Sequence, residues 1–208
     1  MIIIITTNSI NLKNQINLKN NKRIKSIGEL DLTISNSISL RDEVLNFKTK
    51  ESKLELLVGL NWIVNNYDIS SIIFFDYIYP INDNLLGNHI VIPNTLFSID
   101  DPVLEWGSNP LINKIEINAS QNKKIRNIMH HTNFDFIYGD LLSIDDKFIS
   151  TSSIQELKDL NKFEGLNNLI FTANKFAIQN KIDIYNITIG KTKSMVSLKY
   201  EKLLEKLF

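Results

Sequence analysis

Apolar residues follow two kinds of spacing along this chain, one typical of strands and one of helices. Uninterrupted β-branched and apolar runs at 1–6 and 71–75 predict strands covered on both faces of a sheet. The same reasoning, with turn residues as boundaries, predicts further strands at 89–92, 136–142 and 182–189 and a meander of short strands at 23–40. Helical spacing predicts helices at about 51–66, 120–131, 166–177 and 195–207.

Boundary signals divide these elements. Pro93 is expected to end the strand that begins at His89, and residues 93–118, with three prolines, are expected to be irregular. Ser120 is expected to cap the second helix, and residues 153–156 fit a capping box. Strands that alternate with helices, after an early meander, predict an α/β fold: a three-layer αβα domain with a central mixed β-sheet.

Chain length favours one domain over residues 1–208. A chain of 208 residues with 43% hydrophobic content can bury roughly 70% of its unfolded surface in one core. The apolar N-terminal run stops at Thr6, has no basic residues before it and is too short for a membrane span, so it is interpreted as a strand. No membrane partner is therefore expected.

Charge and cysteine content narrow the classes of function. The formal charge is +0, from 23 basic and 23 acidic residues, so no electrostatic footprint for nucleic acid is present. The chain has no cysteine, which excludes disulfides and thiolate chemistry and fits a cytoplasmic location. His130 and His131 are adjacent on a helix and cannot face one metal, and no glycine-rich phosphate loop is present. No metal and no cofactor are expected.

Two short segments carry candidate chemistry. The first is 145–149, where Phe148 and Ile149 could offer an apolar surface to a flat base. The second is Phe163-Glu164-Gly165, which is expected at the head of a helix. A carboxylate there could accept two hydrogen bonds from the vicinal hydroxyls of a sugar, close to the positive end of the helix dipole. The simpler alternative is a core phenylalanine and a solvated glutamate.

This order of elements resembles the purine nucleoside phosphorylase and methylthioadenosine/S-adenosylhomocysteine nucleosidase family. Segment 145–149 is similar to the family's Gly-Asp-x-Phe-Ile segment, whose aromatic residue stacks on the purine, and residues 163–165 are similar to its Met-Glu-Gly element, which holds the ribose. Residues 86–92 resemble its Leu-x-x-Gly-Asp-Ile-Val strand entry. The resemblance implies a nucleoside phosphorylase-like fold, a purine nucleoside or thionucleoside as ligand, and a homodimer or larger homo-oligomer. It implies that Phe148 and Ile149 contact the base and that Phe163 and Glu164 contact the sugar.

Three departures from the family pattern concern catalysis. In the family, one strand ends in an Asp that acts as general acid, whereas the corresponding strand here continues as Gly190-Lys191-Thr192. Residues 76–80 replace the family's glycine-rich turn. Residues 6–9 lack the Glu that activates water in the nucleosidases. Candidate catalytic residues are therefore Asp145, Lys191 and Thr192.

Three hypotheses follow from the sequence. The chain could act on the N-glycosidic bond of a purine nucleoside, with water or phosphate as acceptor. It could be a catalytically inactive homologue that binds a ligand or a protein. It could also be an unrelated α/β domain in which the short matches are accidental.

Overall fold

A mixed β-sheet forms the middle layer of the protein. The computed structural model describes residues 1–7, 18–27, 30–37, 43–50, 52–82, 85, 89–99, 112–132, 134–144 and 162–190, with the backbone alone for 18–27, 30–37, 43 and 112. Its strands are β1 Ile2–Thr7, β2 Leu18–Ile27, β3 Leu30–Ser37, β4 Glu43–Thr49, β5 Ser71–Pro80, β6 Ile90–Ile99, β7 Ile112–Glu116, β8 Phe136–Ser143, β9 Gly165–Leu166 and β10 Asp183–Gly190. Its helices are α1 Lys53–Asn66, α2 Ala119–Thr132 and α3 Ile170–Gln179.

Strand order places the early meander at one end of the sheet. The order is β10-β6-β8-β9-β5-β1-β4-β3-β2, and β7 pairs with β6. Strand β10 pairs with both β5 and β6, so the pairings of β5, β9, β8, β6 and β10 close into a ring. Strands β1, β4, β5 and β10 run parallel, so their carboxyl ends lie at one edge of the sheet, the carboxyl edge.

The two faces of the sheet are covered by different helices, because successive residues of a strand point to opposite sides. Ile3, Ile5 and Phe74 pack with residues of α1 and α3. Ile4 and Phe75 pack on the other face, in the cluster that also holds Ile125, Ile128 and Met129 of α2. The predicted three-layer α/β fold with a mixed sheet is confirmed. Among the helices of the described residues, none has the length and apolar character that a membrane crossing requires.

The prediction that Pro93 ends a strand is wrong. Strand β6 continues to Ile99 and pairs with β7, so part of the segment expected to be irregular is an antiparallel pair. Proline lacks the N–H that a strand donates to its neighbour. On the side away from β8, β6 has two successive partners. Strand β10 pairs with Ile90 and Val91, and β7 pairs with β6 from Thr95 onwards. Pro93 lies between these two pairings, where no partner strand among the described residues needs its N–H.

Several helix details also differ from the prediction. Helix α1 buries Leu56, Leu60 and Ile63, whereas Leu54 and Val58, which fit the helical spacing equally well, are exposed. The side chain of Asn118, and not that of Ser120, caps α2, since its Oδ1 accepts from the Ser120 amide at 2.9 Å. The predicted capping box at 153–156 and the predicted helix at 195–207 lie outside the described residues.

Candidate functional site

A buried carboxylate lies on β5, beside the carboxyl end of β1. Asp76 is 3% exposed. Its Oδ1 accepts a hydrogen bond of 2.6 Å from the Thr7 hydroxyl, and its Oδ2 accepts one of 2.9 Å from the Asn167 side-chain amide. Because a buried carboxyl group is stable only when it is hydrogen-bonded, these two donors satisfy both of its oxygens. Thr7, Asp76 and Asn167 together form the carboxyl-edge cluster.

Asn167 connects this cluster to the start of α3. Its Nδ2 also donates to the Tyr77 carbonyl at 2.8 Å, and its Oδ1 accepts from the amides of Leu169 and Ile170, both at 2.9 Å. The amides at the first turn of a helix have no partner within the helix, so a side-chain oxygen in this position caps it. The side chain of Asn167 therefore fixes the helix start against the end of β5.

Neighbouring strands bring further polar groups to the same edge. Thr188 of β10 is in register with Asp76, and its hydroxyl donates to the Val91 carbonyl at 2.7 Å. Ser143, the last residue of β8, donates to the Asn168 carbonyl at 2.8 Å. The Thr6 hydroxyl is buried and has no hydrogen-bond partner among the described residues. The carboxyl end of β1, Thr188 of β10 and Asn167 thus meet at Asp76.

The base-contacting and catalytic candidates follow these strand ends in the chain. Asp145, Phe148 and Ile149 come after β8, and Lys191 and Thr192 come after β10. All five lie outside the described residues. Their proposed roles therefore stay predictions.

Phe163 lies in the hydrophobic core. It is 6% exposed and packs with Ile81, Leu142 and Leu166. Its ring meets that of Phe97 edge to face, with centroids 5.4 Å apart. The aromatic surface of Phe163 is thus largely used in packing.

Glu164 is half-buried, and its backbone is held on both sides. Its N–H donates to the Asp140 carbonyl at 2.9 Å, and its carbonyl accepts from the amide of Ile81 at 3.0 Å. The aliphatic part of the side chain covers Gly139 so closely that a Cβ at position 139 would overlap it. Within the described part of the chain, no hydrogen bond or ion pair engages the Glu164 carboxylate, which is therefore free to accept from a ligand.

The expected position of Glu164 at a helix start is wrong. Helix α3 begins at Ile170, and Gly165 and Leu166 form β9 between β5 and β8. Glu164 lies beside Ile81, the residue after β5. Ile81 is five residues beyond Asp76, which corresponds to about 16 Å at about 3.3 Å per residue. The position predicted for Glu164, next to the first turn of α3, is the position that Asn167 occupies.

Sequence reasoning missed the carboxyl-edge cluster. Residues 76–80 were expected to stand in place of the family's glycine-rich turn, but they continue β5. The available signal was the position of Asp76 directly after the buried residues 72–75, because polar groups at the carboxyl ends of parallel strands commonly line a ligand site. Among the described residues, no group of three His, Cys, Asp or Glu side chains could hold a metal ion.

Comparisons with known proteins connect this architecture to nucleosidases. No family model matches the chain, and no curated protein matches it. The solved structure of 5'-methylthioadenosine/S-adenosylhomocysteine nucleosidase from Neisseria meningitidis, in complex with methylthio-immucillin-A, superposes with a TM-score of 0.76 at 12% identity, over 99% of this chain and 97% of that chain.

Two further structures show the same agreement. The putative nucleosidase of the same class from Borrelia burgdorferi, bound to adenine, gives a TM-score of 0.75 at 18% identity over 100% of this chain and 98% of that chain. A futalosine hydrolase mutant from Helicobacter pylori gives a TM-score of 0.76 at 12% identity, over 100% of this chain and 98% of that chain. The chain thus has, over its whole length, the fold of the methylthioadenosine/S-adenosylhomocysteine nucleosidases and of futalosine hydrolase, and the resemblance inferred from its sequence is confirmed at the level of the fold.

Proposed function

We propose that this chain binds a purine nucleoside or thionucleoside at the carboxyl edge of the sheet and cleaves its N-glycosidic bond. The observation that carries the proposal is the agreement of the whole fold with nucleosidases, one in complex with methylthio-immucillin-A and one bound to adenine. The carboxyl-edge cluster supports it, because ligands of α/β sheets bind outside the carboxyl ends of the strands. We further propose that the protein is cytoplasmic and works as a homodimer or larger homo-oligomer.

Roles for individual residues follow from their places in the chain. Phe148 and Ile149 contact the base, and Glu164 accepts hydrogen bonds from the sugar hydroxyls with its free carboxylate. Phe163 lines the sugar side of the site from the core, where its ring packs with Ile81 and Leu166. Asp145, Lys191 and Thr192, which follow β8 and β10, are the candidates for assisting departure of the base.

Release of free base is the first prediction. Purified protein incubated with adenosine, inosine and methylthioadenosine, with and without phosphate, is expected to release base, measured by chromatography. Release without phosphate indicates transfer to water, and release only with phosphate indicates phosphorolysis. If nucleosides bind but no base is released above the protein-free rate, catalysis is excluded.

A second function, nucleoside binding without catalysis, is favoured by the state of Asp76. Both of its carboxylate oxygens are hydrogen-bonded in a buried setting, which suits an anchor better than a proton donor. The family's general acid and water-activating glutamate also have no counterparts at the expected positions in the sequence. Binding of nucleosides with no release of base would select this second function.

Sugar recognition by Glu164 gives another prediction. A nucleoside at 100 times its dissociation constant stabilises the wild-type protein by about 2.7 kcal/mol, and a variant that binds a hundredfold more weakly is stabilised by only about 0.4 kcal/mol at the same concentration. Glu164→Gln is expected to approach the smaller value in a thermal-shift titration, because charge-assisted hydrogen bonds to the two hydroxyls are lost.

Two controls separate this effect from a general loss of binding. Asp68→Asn, at an exposed position near the amino end of β5, should leave the ligand-induced shift unchanged. Wild type should prefer adenosine over 2'-deoxyadenosine, whereas Glu164→Gln should distinguish them less. Equal shifts for wild type and Glu164→Gln would show that Glu164 does not bind the sugar.

A further inference from the structure

An open groove lies between the first turns of α2 and strands β6, β7 and β8. Its volume is about 560 Å³, a size typical of small-molecule sites. None of its lining residues belongs to the carboxyl-edge cluster, and neither Phe163 nor Glu164 contributes to it. The groove is therefore a separate feature of the surface.

An irregularity in the sheet helps to form the groove. The register between β6 and β8 shifts by one residue here: Pro93 pairs with Gly139, and the next pair is Leu96 with Leu141. Asn94 and Thr95 thus lie opposite a single residue of β8, as in a β-bulge, and both line the groove. Bulges commonly occur beside functional sites, because they redirect side chains out of the regular pleat.

The floor of the groove contains an unsatisfied polar group. Asn122 lines the groove, is 8% exposed, and donates from its Nδ2 to the Pro93 carbonyl at 2.9 Å. Its Oδ1 is buried and has no hydrogen-bond partner in the part of the chain that the structure describes. Such buried acceptors are uncommon, so the described part of the chain does not fully satisfy the polar groups of the groove floor.

The rim of the groove on the α2 side is positively charged. Lys123 and Arg126 are one turn apart on α2, so they extend from the same side of the helix. Both are exposed, and neither forms an ion pair with another described residue. Glu116 on the opposite rim is already paired with Lys114 at 3.0 Å. The arrangement suits an anion, and the guanidinium of Arg126 matches the oxygens of a phosphate.

Tyr138 supplies an aromatic wall. Its side chain is 40% exposed, and its ring is supported edge to face by Phe136, with centroids 5.9 Å apart. Phe136 in turn meets His130 at 5.0 Å. A ring that is supported on one side and exposed on the other can stack against a flat ligand.

We propose that this groove binds a small phosphomonoester that carries a flat ring. The phosphate pairs with Lys123 and Arg126, and the ring stacks on Tyr138. A phosphomonoester fits better than a carboxylate, because it carries up to two charges and three acceptor oxygens for the two cations. This site is independent of nucleoside cleavage and exists whether or not the chain is catalytic.

Calorimetric titration of the full chain with phenyl phosphate, phenol and inorganic phosphate tests the proposal. Phenyl phosphate contains both recognition elements, and substitutions of Lys123, Arg126 and Tyr138 in the groove separate its binding there from binding at the nucleoside site. It is expected to bind wild type at least about tenfold more tightly than either fragment. Arg126→Gln and Lys123→Gln should each weaken it about tenfold, the equivalent of one charge-assisted contact. Tyr138→Leu should reduce its affinity to that of inorganic phosphate.

A matched control is available on the opposite face of the sheet. Lys175 is an exposed lysine of α3, and Lys175→Gln should bind phenyl phosphate as wild type does. Absence of binding to wild type would overturn the proposal. So would equal affinities of wild type, Arg126→Gln and Lys123→Gln, or equal weakening by Lys175→Gln. Because the three cations are exposed, these variants are expected to fold, and their unfolding temperatures verify this.

Discussion

Replacing Asp76 with alanine is expected to lower the free energy of unfolding by about 3–4 kcal/mol. Two hydrogen bonds to a carboxylate, each worth about 1.5–3 kcal/mol, are lost, and the value lies near the lower end because the Asn167 amide keeps the Tyr77 carbonyl as an acceptor. The substitution removes the acceptor of the Thr7 hydroxyl and one acceptor of the Asn167 amide, both in the buried interior. For a chain of this length the unfolding temperature should fall by roughly 6–16 °C. Chemical denaturation monitored by circular dichroism measures the change.

Asp183 offers a matched control for this substitution. It lies on β10 and is exposed, and its Oδ1 accepts one hydrogen bond of 3.1 Å from Gln121. Asp183→Ala should change the stability by less than about 0.5 kcal/mol, as surface substitutions usually do. If Asp76→Ala costs no more than Asp183→Ala, the carboxyl-edge cluster does not stabilise the fold.

A double-mutant cycle isolates the hydrogen bond between Thr7 and Asp76. Thr7→Val keeps the shape of the side chain and removes the donor. If the 2.6 Å contact is energetically important, the combined variant should be less destabilised than the sum of the single variants, by about 1–2 kcal/mol. Strict additivity would mean that the two side chains are close without being coupled.

The same carboxylate also determines how α3 begins. Asn167 uses one end of its side chain to donate to Asp76 and the other to cap the amides of Leu169 and Ile170. Loss of Asp76 leaves the Asn167 amide held by its hydrogen bond to the Tyr77 carbonyl. Stability and the arrangement of the carboxyl edge are therefore linked through one asparagine.

Continuous apolar runs made the layer architecture predictable. Residues 1–6 and 71–75 were interpreted as strands covered on both faces, and they correspond to β1 and β5. Parallel strands with helices on both sides have no solvent-facing side, so their sequences are apolar without alternation. This signal is local, and the fold class follows from it directly.

The start of α3 was not predictable from local spacing. Leu166 continues the helical repeat of Leu169, Ile170 and Ala173, yet it belongs to the two-residue strand β9. Gly165 explains the difference, because a Cβ there would lie 2.9 Å from Ile78 Cδ1 and 3.0 Å from the Tyr79 carbonyl oxygen. The glycine permits close approach of β9 to β5, which is a tertiary requirement.

The carboxyl-edge cluster depends on contacts between distant parts of the chain. Thr7 and Asp76 are 69 residues apart, and Asp76 and Asn167 are 91 residues apart. Only the strand order brings them together, and that order cannot be obtained from periodicity. For the same reason spacing along the chain could not predict that Phe163 packs in a core formed by residues from three separate segments.

Gly59→Ala is expected to destabilise the protein by about 2 kcal/mol, although alanine is the better helix former. In an exposed helix the change would stabilise by about 0.5–1 kcal/mol. Gly59 lies in the middle of α1, and a Cβ there would overlap the ring of Phe47, at 2.7 and 2.9 Å from its Cε atoms. Phe47 is fully buried in the sheet core and cannot swing into solvent, so the overpacking cost of about 1–3 kcal/mol or more should outweigh the gain in propensity.

The sign of this effect distinguishes packing from propensity. Asn65→Ala, at an exposed position of the same helix, should leave stability unchanged or raise it slightly, because no side chain is overlapped there. Phe47→Leu should be destabilising alone but should reduce the cost of Gly59→Ala when the two are combined, since the ring that collides with the new methyl group is gone. If Gly59→Ala is instead as stable as wild type in denaturant, the distance between α1 and β4 is not fixed by this contact. The absence of a side chain at Gly59 would then not be required for packing α1 against the sheet.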